Sequence, residues 1–131
     1  MIVRIHDPLN WWRIGEAKEL LEPARARGDF ATCIEPDEAL FCAIENGEML
    51  AAATAWLSVD GVVEVKLIGG RDRDRWLKDM NERIGAEARE AGATRLVAIG
   101  RLGWARVLKP LGWAKCQPVE DHWLFVRELG E

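Results

Sequence analysis

Apolar and polar residues alternate from Val62 to Ile68, where Val63, Val65 and Leu67 interleave with Glu64 and Lys66. A period of two predicts a strand with unlike faces. Two earlier segments, Ala39–Glu45 (ALFCAIE) and Glu48–Ser58 (EMLAAATAWLS), flank Asn46-Gly47, and Asp60-Gly61 stands before the alternating run. Both dipeptides suit the left-handed backbone of a tight hairpin turn. The three segments therefore predict an antiparallel meander. Met1–His6 also alternates and predicts a first strand, stopped at Asp7-Pro8.

The period changes to that of a helix from Asp72 to Ala91. Leu77, Met80, Ile84, Ala88 and Ala91 step by three, four, four and three, which draws one apolar stripe. Gly92 is the expected stop, because glycine accepts the left-handed conformation that ends helices. Leu9, Trp12, Ala17, Leu20, Leu21 and Ala24 give an earlier helical face up to Arg27. Pro8 suits its first position, with Asp7 or Asn10 as cap. Pro23 is expected to break this helix, and Gly28-Asp29 to end the region. Phe30–Asp37 is irregular.

Arg95–Ile99 (RLVAI) reads as a short strand of buried type, and Gly100 turns the chain. Trp104, Val107, Leu108 and Leu111 then form one face of a short helix. Pro110 should end it near Lys109, since an interior proline costs roughly 3 kcal/mol. Trp113–Gln117 and His122–Leu129 read as two closing strands around Pro118–Asp121. The order β-α-βββ-α-β-α-ββ describes an α/β (α+β) mixed sheet with helices on its faces. Its 131 residues suit one domain, 1–131.

Composition narrows the functional classes. The net charge of −4 disfavours a nucleic-acid surface, which needs clustered excess Lys and Arg. No apolar run approaches the ~20 residues of a membrane span, and the N-terminus lacks the basic and apolar regions of a signal peptide. Cys33, Cys42 and Cys116 show no metal-ligand spacing and read as free thiols in a reducing cytoplasm. Cys42 and Cys116, set in apolar strand patterns, are expected as small buried hydrophobes. Seven tryptophans and no tyrosine are present. Tryptophan buries a large area and needs a partner for its N–H. Core packing is one reading. The other places Trp11 or Trp76, on otherwise polar segments, at an interface, and allows a homodimer.

Four passages carry a family resemblance. They are Glu45-Asn46-Gly47-Glu48-Met49-Leu50-Ala51-Ala52, the strand Val62–Ile68, Arg89-Glu90-Ala91-Gly92-Ala93-Thr94-Arg95-Leu96, and Lys109-Pro110-Leu111-Gly112-Trp113. Their order and spacing resemble the GNAT N-acetyltransferase superfamily over nearly the whole chain. The first is similar to its "n-G-e-i-v-G" hairpin, the third to "a-r-e-x-G-a-x-x-l", the last to "e-k-l-G-F". Compact divergent proteins of this kind also resemble those encoded by phages and prophages.

The resemblance implies a GNAT-like acyl-CoA N-acyltransferase fold and transfer of an acyl group from acetyl-CoA to an amine of a small molecule or protein. It also leaves open a catalytically inactive binding or assembly protein. In the family, acetyl-CoA lies between the splayed fourth and fifth strands. Its pyrophosphate rests on backbone amides of an R/Q-x-x-G-x-G/A loop. By resemblance the backbone of Leu67, Ile68 and Gly69 borders the pantetheine. The two loop glycines are replaced here by Arg75 and Leu77, while Gly69 and Gly70 lie just upstream.

Two readings of Arg71, Arg73 and Arg75 compete. Guanidinium groups bind phosphate well, which would make these three the cofactor-binding residues together with Gly69 and Gly70. Alternatively they form a solvated charge run offset by Asp72 and Asp74. The family's acidic tyrosine is replaced by Leu108. A general base must take a proton from the amine, and Glu or His is the usual carrier. Glu64, on the fourth strand, is the catalytic candidate by resemblance. Its plainer reading is a solvent-facing strand residue. Glu45, Glu48 and the Asp121-His122 pair are further carriers, and Cys116 a further thiol.

Overall fold

A computed structural model describes residues 1–58 and 60–130 of the chain. The strands are β1 (Ile2–Ile5), β2 (Ala39–Glu45), β3 (Glu48–Leu57), β4 (Val62–Gly70), β5 (Arg95–Gly100), β6 (Ala114–Val119) and β7 (His122–Glu128). The helices are α1 (Ile14–Gly28), α2 (Leu77–Glu90) and α3 (Trp104–Leu108). The strands form one sheet in the order β1-β2-β3-β4-β5-β7-β6. The order of strands and helices along the chain is the mixed α/β one that the hydrophobic pattern predicts. Two compact units divide it, residues 1–56 with 66–83, and residues 57–65 with 84–131.

In the first unit β1, β2 and β3 are antiparallel, with Ile2 opposite Ala43 and Leu40 opposite Thr54. Asn46 and Gly47 take φ of 52° and 79°, as a two-residue hairpin with a right-handed twist requires. Every residue from Met49 to Ala55 is buried, which marks β3 as covered on both faces. Ala17 and Leu21 of α1 pack with Cys33, Ile34, Leu40, Cys42, Met49, Ala52 and Leu67.

Helix α1 corrects two expectations. It starts only at Ile14; Pro8–Asn10 form a separate 3-10 turn, and the Asp7 carboxylate accepts from the Asn10 amide instead of capping a helix. Pro23 does not break α1 but sits inside it. Glu19, whose carbonyl loses its N–H partner, and Pro23 are both exposed. Water can satisfy that carbonyl, and the buried stripe holds the helix on.

The second unit pairs β4 with β5 in parallel, Val62–Val65 opposite Arg95–Ala98, and β5 with β7 antiparallel. Leu96, Phe125, Ile84, Ala88, Ala93, Trp113 and Leu129 are buried there. Ala91 is exposed, so the stripe of α2 ends one step early and Ala93 takes its place. Gly92, at φ 90°, closes the helix, with Ala93 N donating to the Ala88 carbonyl. The expected helix end near Lys109 holds, with a 3-10 turn over Lys109–Leu111. Pro118 lies within β6, not in the turn. An outer strand leaves N–H groups unpaired on one side, so a proline costs no ladder bond there. Cys116 is exposed beside a register shift of that strand, which overturns its expected burial. Among the described residues no helix is long and apolar enough to cross a membrane.

Candidate functional site

The candidate site is the end of β4 and the turn after it. Leu67 is buried in the α1 core and Ile68 is half-buried. Both glycines that follow are required by packing. A Cβ on Gly69 would meet the carbonyl oxygen of Leu20 in α1, and its carbon at 3.2 Å. A Cβ on Gly70 would meet the Leu50 carbonyl and lie 2.5 Å from the Ala51 Cβ. These two residues therefore finish the strand in close contact with α1 and β3.

The chain then reverses. Asp72 adopts φ 54°, and Arg73–Arg75 form a 3-10 turn in which Arg75 N donates to the Asp72 carbonyl. Trp76 closes the turn from inside. It is 4% exposed, and its Nε1 donates to the Arg71 carbonyl at 2.7 Å. The expectation that Trp76 belongs to an interface is corrected: the polar residues around it line a turn that folds back over the indole. Trp11 packs partly buried against the α1 core. The exposed tryptophan of that region is Trp12.

The guanidinium groups gather carboxylates from the β2–β3 hairpin. Arg75 donates to Glu45 Oε1 at 2.6 Å and to Asp72 Oδ2 at 3.2 Å. Arg71 donates to the Met49 carbonyl at 2.9 Å and lies 3.8 Å from Glu48. The side chains of Arg71, Glu48, Arg75 and Glu45 are each 42–56% exposed. The hydrogen bond from Arg75 to Glu45, with Asp72 adding to it, raises the Arg75 pKa, so this guanidinium stays charged. Asp72, Arg73, Asp74 and Arg75 line a shallow cleft of about 420 Å³. Pairing across the hairpin is the feature that sequence reasoning missed. Its signal was present in the glutamates on both sides of Asn46-Gly47, which place two carboxylates at one end of the sheet.

The candidate proton carriers stand on different elements. Glu64 is half-buried on β4 with Val97 of β5 opposite. Glu45 and Glu48 are the partners of the arginines. His122 opens β7 next to Asp121 in the turn. Leu108 ends α3 half-buried. Burial pushes the Cys42 thiol up to about 12 and also raises that of Cys33, which keeps both protonated and inert at neutral pH.

One buried ion pair lies beside this strand. Lys66 of β4 donates to Glu38 Oε1 at 2.9 Å, with side chains 9% and 3% exposed. The same oxygen accepts from Glu35 N at 2.7 Å, and the Lys66 ammonium sits 5.5 Å from the Phe30 ring centre. The irregular segment before β2 is thereby tied to β4.

No protein-family model matches the chain, and no curated protein matches it. Solved structures do. An acetyltransferase from Bacillus subtilis in complex with CoA superposes with a TM-score of 0.74 at 12% identity, over 97% of each chain. A GNAT family acetyltransferase from Elizabethkingia anophelis with acetyl-CoA bound gives 0.72 at 12% identity, over 98% of this chain and 97% of that one. Nourseothricin acetyltransferase gives 0.61 at 16% identity, over 72% of this chain and 66% of its own. At such identities the likeness speaks for the fold, and the fold is that of the GNAT acyl-CoA N-acyltransferases.

Proposed function

We propose that the chain is a GNAT-type N-acyltransferase that takes its acyl group from acetyl-CoA and gives it to an amine. One observation carries this reading. Three guanidinium groups, Arg71, Arg73 and Arg75, follow β4 directly, and those of Arg71 and Arg75 already hold anionic oxygens in pairs open to water. A donor set that takes carboxylate oxygens also suits phosphate oxygens, which bind guanidinium in the same forked geometry. Exposed pairs contribute only about 0–1 kcal/mol each, so a diphosphate can exchange with them.

When bound, acetyl-CoA supplies a thioester carbonyl open to attack by an amine. The roles of the chain's own residues follow from their places. Arg71, Arg73 and Arg75 would hold the diphosphate, and the backbone of Leu67, Ile68, Gly69 and Gly70 would border the pantetheine arm. Glu64 would take the proton of the amine, directly or through water.

A second reading is a catalytically inactive binding or assembly protein with this fold. It is favoured by Leu108, a side chain without a proton to give, in a chain without tyrosine. The two readings separate in one series. Acetyl-CoA should raise the melting temperature of the purified protein, and a panel of amines should release free CoA thiol. A melting shift with no thiol release from any amine would favour the second reading. No shift at millimolar acetyl-CoA would sink the acyltransferase reading and leave the second, with the search moving to protein partners.

A further inference from the structure

We infer that Glu45 and Glu48 are built-in competitors of the coenzyme, standing where phosphate oxygens would stand on Arg75 and Arg71. The inference rests on the acetyl-CoA reading above and deepens it. Its ground is a balance of charge. Residues 71–75 carry three guanidinium groups against two carboxylates, Asp72 and Asp74. Glu45 and Glu48 bring the carboxylates to four, so the closed turn is net negative by one. A diphosphate approaching this arrangement meets guanidinium groups already neutralised, at 2.6 Å for Glu45 and 3.8 Å for Glu48.

The hairpin makes the exchange possible. Glu45 ends β2 and Glu48 begins β3, on either side of a two-residue turn. Glu48 is exposed and Glu45 half-buried, and their side chains are 56% and 42% open to water. Binding a diphosphate would move two side chains to water and leave the strands paired. Arg71 would keep its bond to the Met49 carbonyl as an anchor. The device sets affinity: the pairs must open before the coenzyme can hold the loop, and the open form is what the ligand selects.

The test is a calorimetric titration of acetyl-CoA into four proteins: wild type, Glu45→Gln/Glu48→Gln, Arg75→Ala, and the charge-matched control Glu90→Gln/Glu120→Gln. The control changes exposed acids outside the site by the same net charge. Removing the two competitors should tighten binding by roughly threefold to tenfold, as expected for losing two exposed pairs. The control should leave it within twofold, and Arg75→Ala should weaken it. Equal or weaker binding by the Glu45/Glu48 variant, beside a wild type that binds, overturns the inference and leaves the acetyl-CoA reading intact. Equal gains in the control overturn it too, by reducing it to overall charge. No binding by any of the four overturns the acetyl-CoA reading itself. Melting curves without ligand confirm that each variant folds.

Discussion

Gly69 shows how one residue can be read in two ways. In sequence it stands just upstream of the segment that, by resemblance, holds the diphosphate. In the fold its missing Cβ is the space filled by the Leu20 carbonyl of α1. A backbone oxygen cannot swing aside as a flexible side chain can. Gly69→Ala should therefore lower stability by about 1–3 kcal/mol, the range for forced overpacking, read as a fall in the denaturation midpoint with an unchanged slope. A midpoint equal to wild type would mean that α1 does not press on β4 here. Trp76 and Cys116 illustrate the converse. Both side chains have local neighbours that suggest the wrong environment. The burial of Trp76 depends on the turn closing over it, and the exposure of Cys116 on β6 being outermost. Neither condition is written within a few residues.

At the scale of elements, the local signals held best. Asn46-Gly47 and Gly92 fix backbone conformations that few other residues take, so the hairpin and the end of α2 were legible. Pro110 ends α3 as expected, whereas Pro23 lies inside α1 and Pro118 inside β6, where exposure to solvent lessens the penalty. The Lys66–Glu38 pair was invisible, since it joins residues 28 apart and neither has a distinctive neighbour. It should be costly to break. Removing one member of a buried pair strands the other charge at about 3–5 kcal/mol. Lys66→Met should lower the melting temperature sharply, and Lys66→Met/Glu38→Leu should recover much of the loss. Equal melting of Lys66→Met and wild type would show the pair to be open to water.

For the molecule as a whole, fold and chemistry were legible to different degrees. The order of strands and helices follows from periodicity, and its match to coenzyme-bound GNAT structures extends over 97–98% of the chain. Chemistry depends on a few side chains, and here the resemblance is only partial: Arg75 and Leu77 stand where it implies loop glycines, and Leu108 where it implies a tyrosine. The structure adds the guanidinium–carboxylate network, which relates residues 30 apart in sequence and could not be read along the chain. The measurement that tests the central claim most directly is the melting temperature of wild type and of Arg71→Gln/Arg75→Gln against rising acetyl-CoA. At a hundredfold over Kd, binding should add about 2.7 kcal/mol of stability to wild type, and the arginine variant should lose most of that gain. An unchanged melting temperature of wild type at millimolar acetyl-CoA, or an equal gain in the variant, would contradict a coenzyme site built on these arginines.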